Sequence, residues 1–222
     1  MKGLLIKDLQ IIMQQKRYVA MLLLISVFMM FAMEEPTFII GYMTFMLSML
    51  VTGTISYDDL DNGFSFLFTL PVTRKQYALG KYLLSLLVSG GAWVLANIGV
   101  GLVKGFFMER YHFQEEIAAS VIIFVLCMVM QAIMIPLYMK FGAEKSRWVL
   151  MIMVGGITVI LLFIGKFGGI LPEQVNETIV GIAAAIEKLG MVWLAITAML
   201  VGIVSMAISC IISGKIMEKK QF

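Results

Sequence analysis

Apolar residues gather along this chain into six blocks, approximately Tyr18 to Met33, Phe38 to Ile55, Tyr82 to Val103, Ala118 to Tyr138, Trp148 to Ile164 and Met191 to Ile212. None contains an Asp, Glu, Lys, Arg or His. A helix needs on the order of 20 mostly apolar residues to cross a bilayer core, and somewhat fewer where flanking side chains snorkel. The pattern therefore predicts an all-α polytopic membrane protein with six transmembrane helices. Glu34, Glu35 and Pro36 end the first block abruptly, which predicts a tight hairpin between the first two spans.

Three segments between or before the blocks have a different periodicity. In residues 1–17, Leu5, Leu9, Ile12 and Met13 recur on one helical face and Lys7, Gln10, Gln14 and Arg17 fall on another. This predicts an interfacial helix with its lysines toward anionic headgroups, either a simple anchor or also a docking element. In residues 56–81, Asp58, Asp59 and Asp61 are placed to cap a helix on which Leu60, Phe64, Leu67 and Phe68 form a stripe, weakened by Gly63. Pro71 breaks that helix, and Thr73 with Gln76 forms a capping box from which a new helix starts near Arg74 and runs into the third span. In residues 171–189, Leu171, Val175, Ile179, Ile182 and Ile186 form an apolar stripe with Glu173, Glu177 and Glu187 off it.

Composition agrees with a membrane chain: 61% of the 222 residues are hydrophobic and only 14% charged. The net charge of +3 becomes informative when its distribution is followed. Lys2, Lys7, Lys16, Arg17, Arg74, Lys75, Lys81, Lys140, Lys145, Arg147, Lys215, Lys219 and Lys220 fall on one side of an even-spanning chain; Lys104, Arg110, Lys166 and Lys188 fall on the other. Cytoplasmic flanks carry the excess of Lys and Arg, so both termini are expected in the cytoplasm of a plasma membrane, and the charge does not imply a nucleic-acid partner. The apolar run begins only after Arg17 with no small-residue cleavage site behind it, so no cleavable signal peptide is expected.

Enzyme chemistry has little to build on. The single histidine, His112, sits in an expected outer loop, so HExxH is absent, and no span offers a Ser-Lys, Ser-His or Asp-Asp pair. Neither catalytic residues nor a metal site is expected. Cys127 and Cys210 lie inside spans without a CxxC spacing and read as small core residues. No GxxxxGK[ST] occurs, so the chain itself is not expected to bind ATP by a P-loop. Asn97, Gln131 and scattered hydroxyls are the polar groups within spans; they serve either interhelical bonding or, with Met46, a substrate path. The 20 methionines read as ordinary packing or as an adaptable lining for variable cargo.

The loop "DDLDNGFSFLFTLPVTRKQYALGKY" has an acidic, glycine-containing start, a Leu-x-x-x-Pro-Val-Thr-Arg core and a Gly-Lys a few residues on. It resembles the loop between the second and third spans of ABC type-2 permeases, the membrane subunits of ATP-binding-cassette exporters. The start "MKGLLIKDL" and the overall layout are similar to the compact membrane-only members, which include exporters of phenol-soluble modulins. The resemblance implies that residues 56–81 are a coupling loop that docks a separate ATPase subunit through Asp59, Leu60, Phe64, Phe66, Leu67, Phe68, Pro71 and Arg74. It implies that ATP and Mg are bound by that partner and no cofactor by this chain. It further implies a second permease chain, identical or homologous, and an outer hairpin in which Ile179, Ile182 and Ile186 gate the pathway; a plain surface helix is the alternative there. A path without charges in the spans, lined by apolar and Met-rich helices, suits an amphipathic or lipophilic substrate such as a peptide toxin, bacteriocin or drug, with sodium export or a non-transporting membrane scaffold or sensor as other readings.

Overall fold

A computed structural model describes residues 2–33, 35–60, 63–107, 113–167 and 190–220. Its described residues form α1 (Lys2–Gln14), α2 (Lys16–Ala32), α3 (Pro36–Asp59), α4 (Gly63–Leu67), α5 (Arg74–Phe107), α6 (Phe113–Phe167) and α7 (Gly190–Lys219). Within these residues the fold is all-α. Four helical stretches are long and apolar enough to cross a membrane: Pro36–Asp59, Arg74–Lys104, Glu116–Gly142 and Trp193–Lys219. They contain the blocks at 38–55, 82–103 and 118–138 and all but the first two residues of the block at 191–212. The block at 18–33 lies on α2, only 17 residues long, which counts as a fifth span when joined to α1 across a 65° bend. The block at 148–164 is helical within α6 but is not among those spans. The stripe at 171–189 falls outside the described residues.

Local chemistry sets the helix boundaries. The chain turns between α2 and α3 with Met33 and Glu35 in extended conformation, and Pro36 opens α3 at the position where its missing N–H costs nothing. The residues between the fourth and fifth blocks are helical except at Gly142, whose φ of 77° and ψ of 175° break α6. That left-handed backbone suits glycine, and a Cβ there would lie 2.5 Å from the Asp59 carboxylate. Ser146 bridges the break, donating to the carbonyls of Gly142 at 2.5 Å and Leu137 at 2.9 Å.

The core is gathered around α3, α5, α6 and α7. One cluster, including Ile55, Tyr77, Met128, Ile135 and Met217, lies toward the end of the bundle that carries α4; a second, of Met30, Ile39, Ile40, Met43, Ala96 and Val100, lies toward the opposite end. Leu24 and Phe28 on α2, Leu95 on α5 and Leu200 on α7 face outward, as helices solvated by lipid require. Hydroxyls inside the spans mostly bond back to their own helix, as Thr44 does to Ile40 and Ser89 to Ser85. The interhelical exceptions are tight. Tyr82 of α5 contacts Ser209 at 2.5 Å and Ser213 at 2.8 Å on α7, and Ser209 donates to the Ala132 carbonyl of α6.

Candidate functional site

The stretch between α3 and α5 is built on a buried charge cluster that sequence periodicity does not reveal. Asp58 and Asp59 are the last residues of α3 and do not cap the start of α4; Asp61 falls outside the described residues. Carboxylates at a helix C-terminus oppose its dipole, so they need cations nearby. Lys81, 1% exposed on α5, supplies one. Its Nζ lies 2.8 Å from Asp58 Oδ2 and 2.9 Å from Asp8 Oδ2, and it donates to Thr54 Oγ1 at 2.9 Å. The ammonium is thus faced by two carboxylates and a hydroxyl, surroundings in which a lysine can be buried.

Lys7 completes the cluster. It donates to Asp58 Oδ1 and stands 3.2 Å from Asp8 Oδ1, an ion pair without hydrogen-bond geometry. Lys7 therefore turns inward, away from the headgroups expected from its position on α1. The buried face of α1 is Leu4 and Asp8, while Leu9 and Met13 are left exposed on the apolar stripe. Tyr77 donates to Asp58 Oδ2 at 2.9 Å, and Lys81 Nζ sits 5.2 Å from its ring centre. Two lysines and two aspartates from α1, α3 and α5 form a neutral joint.

Above this joint α4 is a single turn and a half. Gly63 lets it begin against the end of α3, for a Cβ there would stand 2.7 Å from the Asp58 carbonyl oxygen. Phe64 and Leu67 are buried, and Phe64 and Phe68 both meet the Tyr77 ring edge-on, at 5.6 Å and 6.0 Å. Phe66 points the other way and is 71% exposed, with Leu60, Leu70 and Pro71 also at the surface. The aromatic stripe thus holds the segment down, while the residue between its members is presented outward.

The capping box forms as its spacing predicts: Gln76 N–H donates to Thr73 Oγ1 and Thr73 N–H to Gln76 Oε1, both at 3.2 Å. Arg74, the first residue of α5, donates through Nη1 to the carbonyls of Met217, Glu218 and Lys220 at 3.2, 2.8 and 2.8 Å. Its guanidinium also covers the Phe68 ring at 5.6 Å. Lys220 donates to the Met139 carbonyl at 3.1 Å, lies 3.7 Å from Asp59 and stacks over Phe64. The ends of α7 and of the first part of α6 are thereby capped by cations that lie over Phe64 of α4 and over Phe68 just beyond it.

The residues read as a substrate path each bond to a different helix neighbour. Gln131 is buried on α6 and donates to the Ser48 carbonyl of α3 at 2.8 Å. Asn97 accepts from Ser120 at 3.1 Å, beside Trp93, which donates to the Ser120 carbonyl and stacks on Phe124. Met46 is half-buried near the Tyr18 hydroxyl. Ile179, Ile182 and Ile186 lie outside the described residues. Asp8 was the missed signal: one carboxylate in an otherwise basic interfacial helix needs a cation, and Lys81 is the cation in the apolar stretch "YALGKYLL".

A family model described as ABC-2 family transporter protein matches residues 3–218. No curated protein and no solved structure matches the chain.

Proposed function

The chain belongs to the ABC-2 family of transporter membrane proteins and is a multi-pass permease subunit, and from that premise we propose that it exports an amphipathic or lipophilic substrate, driven by a separate ATPase that docks at α4. The observation that carries the docking reading is the division of labour on α4. Phe64 and Leu67 are locked into the core while Phe66 stands 71% exposed beside Leu60 and Leu70. An aromatic held outward on an anchored turn loses little further entropy on binding and has the character of an interface hot spot.

In this reading the ATPase carries ATP and Mg, the docked loop is cytoplasmic, and two permease chains enclose the path. Movement imposed on α4 reaches α5 through the Tyr77 contacts and reaches α1 and α3 through Lys81, because buried ion pairs resist separation. The cytoplasmic placement is supported by the excess of Lys and Arg on that side. It requires that a cysteine replacing Gln76 be shielded from an impermeant thiol reagent in intact cells; labelling there would reverse the orientation.

Docking is tested by copurifying the ATPase with Phe66→Ala. Loss of a hot-spot aromatic should cost about 2 kcal/mol or more, roughly thirtyfold in affinity, with the permease still folded. Undiminished copurification with Phe66→Ala combined with Leu60→Ala would remove α4 as the docking element.

A further inference from the structure

On the face formed by α5 and α7, two cavities run into one another, for Leu79, Cys210 and Ile211 line both. The larger, about 430 Å³, is walled almost wholly by apolar side chains of α5, α6 and α7, among them Leu86, Met128 and Ile203. The smaller, about 350 Å³, lies nearer the α4 end and has a charged rim of Lys75, Lys215 and Glu218 around Gly214. A Cβ at Gly214 would meet only Lys75 Cγ at 4.0 Å, so this part of α7 leaves an open notch between the two lysines.

The charges on the rim do not balance. Lys75 pairs with Glu218 at 3.1 Å, whereas Lys215 is exposed and has no ion pair among the described residues. We infer that the groove is a site for an anionic phospholipid from the leaflet on the α4 side, its acyl chain lying along the apolar wall and its phosphate between Lys75 and Lys215. A zwitterionic lipid would bury the same chain but bring an ammonium to a rim that already carries the excess positive charge. A cationic amphiphile would meet like charge outright. Charge complementarity therefore selects the head, and the continuity of the two cavities selects an occupant with a tail. The inference is independent of the docking role of Phe66.

The test uses the full chain with its copurifying partners, exposed in detergent to equimolar phosphatidylglycerol and phosphatidylcholine, with retained lipid counted by native mass spectrometry. Wild type should keep phosphatidylglycerol over phosphatidylcholine by about fivefold, the factor one basic side chain contributes near an anionic surface. Lys75→Gln with Lys215→Gln, both on the surface, should bring the ratio close to one without lowering Tm. Ala207→Trp, on the wall of the larger cavity, should reduce retention of both lipids. Equal retention by wild type, an unchanged ratio in the double lysine variant, or unchanged retention in Ala207→Trp would overturn the site. A Cys210 cross-link between two copies would also overturn it, by assigning the groove to a subunit contact.

Discussion

The two ends of the bundle each bury a lysine of α5, and they do so by different means. Lys81 is held near α4 by two carboxylates and a hydroxyl, from α1 and α3. Lys104, at the opposite end and 5% exposed, donates at 2.6 Å to the Met33 carbonyl just past the C-terminus of α2. Nearby, Thr37 of α3 donates to Glu116 of α6 at 2.8 Å. The first arrangement fixes three helices at one point; the second ties pairs of helices by single bonds. Buried ion pairs add modestly to stability relative to apolar packing but penalise separation strongly. The contrast therefore locates stiffness at the α4 end and leaves the other end freer to rearrange.

The largest expected effect breaks that contrast directly. Lys81→Met leaves Asp8 and Asp58 facing each other in the interior and should destabilise by about 3–5 kcal/mol, seen as a fall in Tm and in membrane yield. Adding Asp58→Asn should restore part of the loss, because the remaining group of carboxylates is smaller; a strictly additive double variant would show that the cluster does not act as a unit. Lys104→Met removes one charge-assisted bond at a helix C-terminus and should cost about 2 kcal/mol. A loss equal to that of Lys81→Met would erase the difference between the ends. Smaller still, Thr73→Ala opens the capping box and should cost about 1 kcal/mol, again read as Tm. Phe66→Ala, at an exposed position, should move stability by no more than about 0.5 kcal/mol in the isolated permease; a larger loss would mean that the side chain is packed within its own chain.

What the sequence discloses follows the range of the forces involved. The capping box of Thr73 and Gln76 is set by neighbours and forms where the local pattern puts it, with α5 opening at Arg74, whereas α4 ends at Leu67, before Pro71 is reached. The apolar blocks report the solvent of each segment, so four of them recur as spanning helices. Asp58 and Asp59 were legible only as helix-capping residue types, which does not tell the end of α3 from the start of α4. Their placement is decided by Lys7, Lys81 and Lys220, from distant parts of the chain. Of the stripe Leu60, Phe64, Leu67 and Phe68, the last three face the core while Leu60 ends α3 and is exposed, and periodicity does not say whether an apolar face meets its own core or a partner. Gly142 was hidden for a similar reason: its left-handed backbone is tied to the approach of Asp59, a contact between remote segments.

The clamp of Arg74 on the carbonyls of Met217, Glu218 and Lys220 orders events during synthesis. A ribosome releases the α4–α5 corner long before it has made the residues that corner holds. Until α7 has been translated and inserted, Arg74 lacks these three acceptors and Phe64 lacks its Lys220 cover. The corner is thus finished last although it is made early, and in a nascent chain stalled before α7 the Arg74 guanidinium is without these acceptors.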